Sequence, residues 1–210
     1  MRVSRSALFV SVIWCLILMA PLSAFAHKPL FEDHVSNSLS NAIKIADPQV
    51  SYAIYASLTT PTDVHVYALE VSKPMNLHAG LLVPKAPGYE DFYPVYALAG
   101  PGLPESKVKL PIELPPGYGA IVISGKPESP RPVFDEPFSR TQYYEGIPDF
   151  DRQVSQTGTY YYIVWHPAGE TGSFTGVVGE QEKFGLKDLI PVAKAIRVIH
   201  SGQWIIKRGK

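Results

Sequence analysis

The sequence is nearly free of cysteine, because its 210 residues include only Cys15. That residue lies in an uncharged apolar run at positions 7–20, which follows two arginines and precedes small residues ending at Ala26. This order of features is typical of a cleaved secretory signal. The sequence therefore predicts a signal peptide at residues 1–26 and a mature chain that begins at His27. Since Cys15 leaves with the signal, we expect neither a disulfide nor a thiolate metal site.

An excess of charge of either sign is also lacking, with 19 basic and 19 acidic residues in the whole chain. Without the predicted signal, 17 basic and 19 acidic residues remain, a formal charge of −2. A surface for nucleic acid is not indicated by such a balance. The apolar run at 7–20 is too short to span a bilayer comfortably. We therefore expect an exported protein that is periplasmic or extracellular.

Several catalytic motifs are missing from the sequence. There is no Gly-x-Ser-x-Gly, no His-Glu-x-x-His, no phosphate-binding loop and no EF-hand spacing. Their absence disfavours the enzyme classes that depend on them. Glycoside hydrolysis by a pair of carboxylates is not excluded, because the distance between the two groups is not given by the sequence. The sequence leans towards a noncatalytic protein.

What the sequence does contain is a series of strand-length segments, rich in β-branched and aromatic residues and separated by Pro and Gly. The segment at 50–58 also suits a helix, although its composition favours a strand. A turn at Lys73–Pro74 is expected to pair two neighbouring segments, and the last two are expected to form a closing hairpin. The pattern predicts an all-β fold, an antiparallel, jelly-roll-like β-sandwich. The predicted strands lie at 50–58, 63–71, 76–84, 93–101, 119–124, 159–166 and 173–179.

The predicted organisation is an irregular lead-in at 27–49, a sandwich at 50–184, and a C-terminal amphipathic helix with a basic tail at 185–210. Thirteen of the 20 prolines fall between positions 84 and 148, which excludes long helices there. Residues 125–150 are expected to be a long loop with one edge strand near 141–144. The helix is expected to start at Asp188 and to bury one apolar stripe. That stripe comprises Leu189, Val192, Ala193, Ile196 and Ile199.

The strand sequences carry a family resemblance. Asp63-Val-His-Val-Tyr67 with Leu69, then Gly158-Thr-Tyr-Tyr161, then Gly172-Ser-Phe174 resemble the β-sandwich of bacterial pre-peptidase C-terminal domains over about residues 60–180. Here Lys73-Pro74-Met75 replaces that family's usual turn. Members are mostly noncatalytic modules of secreted enzymes, so the resemblance implies an accessory or binding role.

A mature N-terminal histidine is one candidate metal ligand. The α-amine and imidazole of His27 would form a histidine brace with a second histidine, for which we name His34, and copper(II) favours such ligands. The other histidines are His65, His78, His166 and His200. In the expected pairing His65 and His78 are too far apart for one ion, so we interpret them as surface or satisfied core residues. Otherwise no cofactor is expected.

Carboxylates form three loose acidic groups at Glu90-Asp91, Asp135-Glu136 and Asp149-Phe-Asp151. Oxygen ligands of this kind would suit calcium. The alternative is that these are ordinary solvated loop charges.

Aromatic residues are a second candidate site. Alternation places Tyr160, Tyr162 and His166 on one face of their strand, and Tyr143 and Tyr144 belong to the Pro-rich region. An exposed aromatic face would bind a sugar or a protein partner, whereas a face covered by the C-terminal helix would not.

The C-terminal segment 186–210 has two alternatives as well, because a basic amphipathic helix either lies on an anionic membrane or packs on the domain. The first prediction for function is an exported binding protein of the cell envelope or periplasm, with a protein or glycan partner. The alternative is a copper-binding protein that uses His27.

Overall fold

A computed structural model describes residues 27–137, 139–183, 185 and 189–208 of the chain. The predicted signal peptide, the predicted cap Asp188 and the last two residues of the basic tail lie outside the described residues. The elements are β1 (Lys28–Phe31), a 3-10 helix (Leu39–Asn41), β2 (Ile43–Ile45), β3 (Tyr52–Leu58), β4 (Val64–Val71), β5 (Met75–Pro84), β6 (Val95–Pro101), β7 (Tyr118–Ile123), β8 (Val133–Glu136), β9 (Thr141–Tyr144), β10 (Phe150–Val154), β11 (Gly158–Trp165), β12 (Gly172–Val178) and α1 (Leu189–Ser201).

The strands form two facing sheets. Sheet A has the order β1-β3-β12-β5-β9-β8, with β10 also paired to β5, and sheet B has the order β2-β4-β11-β6-β7. All pairs are antiparallel except β1 with β3 and β2 with β4, which are parallel. The prediction of an all-β sandwich with a C-terminal helix is confirmed.

The core lies between the sheets and is unusually rich in tyrosine. Tyr67, Tyr96, Tyr160 and Tyr162 are all essentially inaccessible to solvent. A buried phenol needs a partner for its hydroxyl. Backbone carbonyls accept from Tyr96, Tyr160 and Tyr162, and the Glu32 carboxylate accepts from Tyr67. The Tyr162 hydroxyl, for example, donates to the Gly80 carbonyl at 2.8 Å, which joins sheet B to sheet A across the core.

Two expected hairpins are wrong. β4 belongs to sheet B and β5 to sheet A, so the short turn between them passes from one sheet to the other. The same is true of β11 and β12. Alternation in a sequence tells which side chains share a face, but it does not identify the neighbouring strand. The expected pairing of the segments at 63–71 and 76–84 is therefore absent, and β4 pairs instead with β11 and β2.

The segments 27–49 and 125–150, expected to be irregular apart from one edge strand near 141–144, both contain further strands. The first supplies the edge strands β1 and β2, and the second supplies β8 and the start of β10. The strand expected near 141–144 is β9, which lies between β5 and β8. These strands are short and their central residues are mostly polar or exposed, as in Phe150–Val154. Such edge strands carry little periodic signal, and their position is fixed by the strand beside them.

Helix α1 covers the outer face of sheet A. Val192, Ala195 and Ile199 are buried in a cluster that includes Ala53 and Tyr55 of β3. Ala193, assigned to the stripe by the sequence, is exposed instead. The helix ends before Gly202, whose φ of +67° suits a glycine at this position.

Within the described residues no helix is both long enough and apolar enough to cross a membrane.

Candidate metal centre

Three potential metal ligands meet on the outer face of sheet A. Leu77 and Ala79 of β5 point into the core, so His78 between them points outwards. Asp151 of β10 lies directly opposite His78 in the antiparallel ladder. Glu180 follows the last strand, where the Gly179 amide donates to the His78 carbonyl at 3.0 Å. Three separate parts of the chain thus converge on one spot.

The distances within this triad suit one small ion. The Nδ1 atom of His78 lies 3.9 Å from Oδ2 of Asp151 and 3.9 Å from Oε1 of Glu180. One ligand atom from each of the three residues lies within 4.8 Å of the others. Two ligands bonded to the same ion at 2.0–2.2 Å are separated by at most about 4.4 Å. Small movements of the three side chains would therefore bring their ligand atoms within bonding distance of one ion.

The surroundings of the His78 Nδ1 atom also favour a metal site. Its Nδ1 atom is buried and has no hydrogen-bond partner among the described residues, and the two carboxylates are too far away to accept one. A buried polar atom without a partner is costly. A metal ion between the three side chains would satisfy the nitrogen lone pair and both carboxylates at once.

Asp149 provides a further carboxylate beside the triad. It lies over Gly80, and a side chain at Gly80 would collide with the Asp149 carboxylate. Burial raises the pKa of Asp149, the nearby His78 opposes this effect, and the charge of Asp151 adds to it. The Asn76 amide donates to Oδ1 of Asp151, which leaves Oδ2 to face His78.

The chain matches no known family model and no curated protein. The resemblance to pre-peptidase C-terminal domains therefore stays a prediction, as do export and the periplasmic or extracellular location.

The predicted copper ligands lie at the two ends of β1. His27 precedes the strand, and its Nδ1 is hydrogen-bonded to the Ser51 hydroxyl at 2.6 Å. His34 follows the strand and is held by Asp33 at 2.6 Å and by the Asn41 carbonyl at 3.0 Å. Both ring nitrogens of His34 are thus engaged within the protein. A copper site built from His27 stays a prediction, tested below.

The predicted aromatic site is largely inside the protein. Tyr160 and Tyr162 face the core, and Tyr143 and Tyr144 are also buried. Alternation grouped the first two correctly, but their face is the one covered by sheet A. His166 is half-buried and stacks on Phe92 with ring centroids 5.3 Å apart. A sugar or protein partner would not reach these tyrosines from outside, so they do not enter the proposals below.

The opposite face of β11 is also covered, although not by the helix. Ile163 and Trp165 form a cluster with side chains of sheet B, against which the loop residues Leu110, Ile112 and Leu114 pack. The helix expected to cover this strand packs on the other sheet.

A second polar cluster is held together by hydrogen bonds to one oxygen of Glu32. One Glu32 oxygen accepts hydrogen bonds from Tyr67 at 2.7 Å and Ser36 at 3.1 Å and lies 2.7 Å from Nδ1 of His65. The other ring nitrogen of His65 is hydrogen-bonded to the Ser57 carbonyl at 3.1 Å. Burial by itself raises the pKa of Glu32, but hydrogen bonding and the charge of His65 outweigh it and lower the pKa. Both ring nitrogens of His65 and this Glu32 oxygen are therefore engaged within the protein.

Sequence reasoning missed the triad for a specific reason. The sequence alone indicates a surface or core histidine at His78, and a solvated charge or part of a calcium site at Asp151. The sequence does contain a signal for a strand here, because Asp149, Phe150 and Asp151 alternate between acidic and apolar residues as a half-buried strand does. The partnership of β5 with β10, and the position of Glu180, could not be inferred from that signal.

The described part of the C-terminal tail, residues 202–208, is docked rather than free. The Ile206 amide donates to the Ser173 hydroxyl at 2.9 Å, and Tyr89 donates to the Ile206 carbonyl at 2.7 Å. Arg208 pairs with Glu170 and lies over the ring of Phe92. Trp204 is buried and Ile205 packs against the core clusters, so these two apolar side chains are engaged with the sandwich.

Proposed function

We propose that this chain is an exported, noncatalytic binding protein whose ligand is a divalent transition-metal ion held by His78, Asp151 and Glu180. The observation that carries the proposal is the buried, unpaired His78 nitrogen, which faces two carboxylates at 3.9 Å. The proposal keeps the binding role expected from the sequence and assigns it to a different set of residues. A protein or glycan partner in the cell envelope stays a separate prediction.

The ligand types favour a transition metal over calcium. One imidazole nitrogen and two carboxylate oxygens suit zinc, copper(II), nickel and manganese. Calcium requires six to eight oxygen ligands, and the triad offers a nitrogen in their place. Zinc and copper are the first ions to examine, because copper stands highest in the divalent affinity order and zinc accepts mixed nitrogen and oxygen sites.

The site is open on one side. The side chains of Asp151 and Glu180 are 55% and 58% exposed, while His78 is 18% exposed. An ion can therefore enter and leave without any rearrangement of the strands. Three protein ligands also leave at least one coordination position for water or for a ligand from a partner. This arrangement suits reversible uptake rather than a permanently enclosed structural ion.

The test is calorimetric titration of the mature protein with zinc and with copper(II). We expect one ion per chain, and we expect His78→Gln, Asp151→Asn and Glu180→Gln each to weaken binding roughly tenfold or more, since even loss of an outer partner of a metal ligand costs about that much. Glu182→Gln is the matched control, because Glu182 is an exposed carboxylate two residues from Glu180. It should bind as the parent protein does.

Two results would contradict the proposal. One is the absence of saturable binding for every ion tried. The other is binding that survives all three substitutions, which would place the ion elsewhere in the chain. Thermal denaturation supplies a second measurement, because an ion present at about 100 times its Kd stabilises the folded state by about 2.7 kcal/mol.

A further inference from the structure

Beside the metal triad lies an open groove of about 570 Å³ with an unusual combination of walls. One wall is apolar and includes Leu82 of β5, Phe134 of β8 and Ile147. Phe134 is 39% exposed, which makes it one of the few large apolar side chains that the described surface presents to water. The groove therefore offers contact area to an apolar molecule.

The rim of the groove is acidic. It carries the carboxylates of Glu128, Glu145 and Asp149 and the single ammonium of Lys126, a net charge of −2. Within the described part of the chain, none of these four side chains has a hydrogen bond or an ion pair through its charged group. Unpaired charge of one sign around an apolar wall favours a ligand of opposite charge.

We propose that this groove binds a small organic cation, an alkyl or aryl ammonium whose apolar body lies against Phe134, Leu82 and Ile147. Its ammonium lies among the three carboxylates. The charge complementarity argues against a carboxylic acid or phosphate ester as the occupant, because the rim would repel either one. This binding goes beyond the proposed metal function and does not require the ion.

The experiment uses metal-free mature protein, prepared with a chelator, and phenethylamine as the probe. Phenethyl alcohol has nearly the same shape without the charge, and phenylpropanoate carries the opposite charge. We expect the amine to bind, the alcohol to bind about fivefold more weakly or worse, and the acid to bind more weakly still. The amine affinity should fall as salt is raised to about 0.15 M, because exposed charges are screened.

Two pairs of variants locate the ligand. Glu145→Gln should weaken amine binding about two- to fivefold, whereas Glu113→Gln, an exposed carboxylate outside the groove, should not. Phe134→Ser should weaken both the amine and the alcohol, whereas Val133→Ser should not. Val133 is a suitable control because it is 37% exposed and belongs to the same strand, yet does not line the groove.

The proposal is overturned if phenethylamine fails to bind, if phenylpropanoate binds equally well, or if all four variants behave alike. The Glu180→Gln variant distinguishes the groove from the metal triad as the site of amine binding. Amine binding that depends on Glu180 would place the cation in the metal triad and would also contradict the groove. Because the protein is free of metal, failure of the triad to bind zinc or copper leaves this result unaffected.

Discussion

Arg131 shows what a single buried charge does in this protein. Its guanidinium lies 3.9 Å from the centre of the Tyr93 ring and 5.1 Å from that of Tyr144. It donates from Nε to the Glu145 carbonyl at 2.8 Å and from Nη1 to the Phe92 carbonyl at 2.9 Å. Burial lowers the pKa of this guanidinium. The residue thus links the segment between β7 and β10 to the loop before β6 through the planar guanidinium that only arginine has.

Arg131→Lys is expected to destabilise the protein by about 2–3 kcal/mol, because the ammonium cannot make both carbonyl contacts or stack between two rings. Urea denaturation monitored by tyrosine and tryptophan fluorescence measures the difference. Arg152→Lys serves as the control, since Arg152 is exposed on β10, and its effect should be within about 0.5 kcal/mol. Equal effects of the two substitutions would show that Arg131 has no special role.

At the scale of elements, α1 and the tail behave as a cover for sheet A. The Trp204 ring packs edge-on against Tyr55 with centroids 5.0 Å apart, and the Ser173 hydroxyl donates to the Trp204 carbonyl at 3.1 Å. Polar contacts from β12 therefore reinforce the apolar contacts of the helix. Binding to a membrane through this face would require all of these contacts to break.

Substitutions at two neighbouring residues of α1 test whether the helix packs on sheet A. Ile199 is 1% exposed and Val198 is 39% exposed. We expect Ile199→Ala to cost about 2–4 kcal/mol through lost burial and a residual cavity. Val198→Ala should cost less than about 0.5 kcal/mol. Thermal denaturation of the two variants and the parent protein measures these losses of stability.

Co-sedimentation with anionic vesicles distinguishes a helix that packs on the domain from one that binds a membrane. The docked helix predicts that the folded protein stays in the supernatant. Binding of the folded parent protein to vesicles, with similar stabilities for the two alanine variants, would instead support a helix that is free to bind a membrane.

At the scale of the whole molecule, the segment after β1 connects the two sheets. β1 belongs to sheet A, yet Glu32 bonds to His65 and Tyr67 of β4 in sheet B. Because these contacts lower the pKa of Glu32 below its usual 4.5, the folded state binds its proton less readily than the unfolded chain does. Its contribution to stability is therefore complete above pH 4.5 and is lost as the pH falls through the lowered value.

Glu32→Gln should accordingly destabilise the protein at pH 7 and have a progressively smaller effect below pH 4.5. Urea denaturation at pH 7 and at pH about 3 measures both ends of this range. Glu105→Gln, an exposed residue, should leave the pH dependence unchanged. A Glu32→Gln effect of the same size at both values would show that the ionised carboxylate is not the stabilising form.

The predicted processing of the chain has its own test. Mass spectrometry of the exported protein should give a chain that begins at His27. Copper(II) titration of that protein and of a variant with one added N-terminal Gly separates the two metal hypotheses. Loss of a tight copper site in the extended variant would support the brace at His27. Equal binding in both, removed by His78→Gln, would assign copper to the triad.

Much of the architecture was determined by local chemistry. Period-two alternation with β-branched and aromatic residues was enough to predict the strands β3 to β7, β11 and β12, and the change to a helical period predicted α1. These signals are local, because they depend on which side chains a strand or helix places on one face. The short strands β1, β2, β8 and β10 gave little such signal, since their positions depend on neighbours distant in sequence.

The sequence by itself therefore determined the fold class, the helix and the tyrosine-rich faces. Only the tertiary structure decided which sheet each strand joins. That decision put Tyr160 and Tyr162 in the core and separated β4 from β5. It also brought His78, Asp151 and Glu180 together from three distant parts of the chain. The physical reason is that strand pairing is a long-range choice among many segments of similar pattern, and the candidate metal centre exists only through that choice.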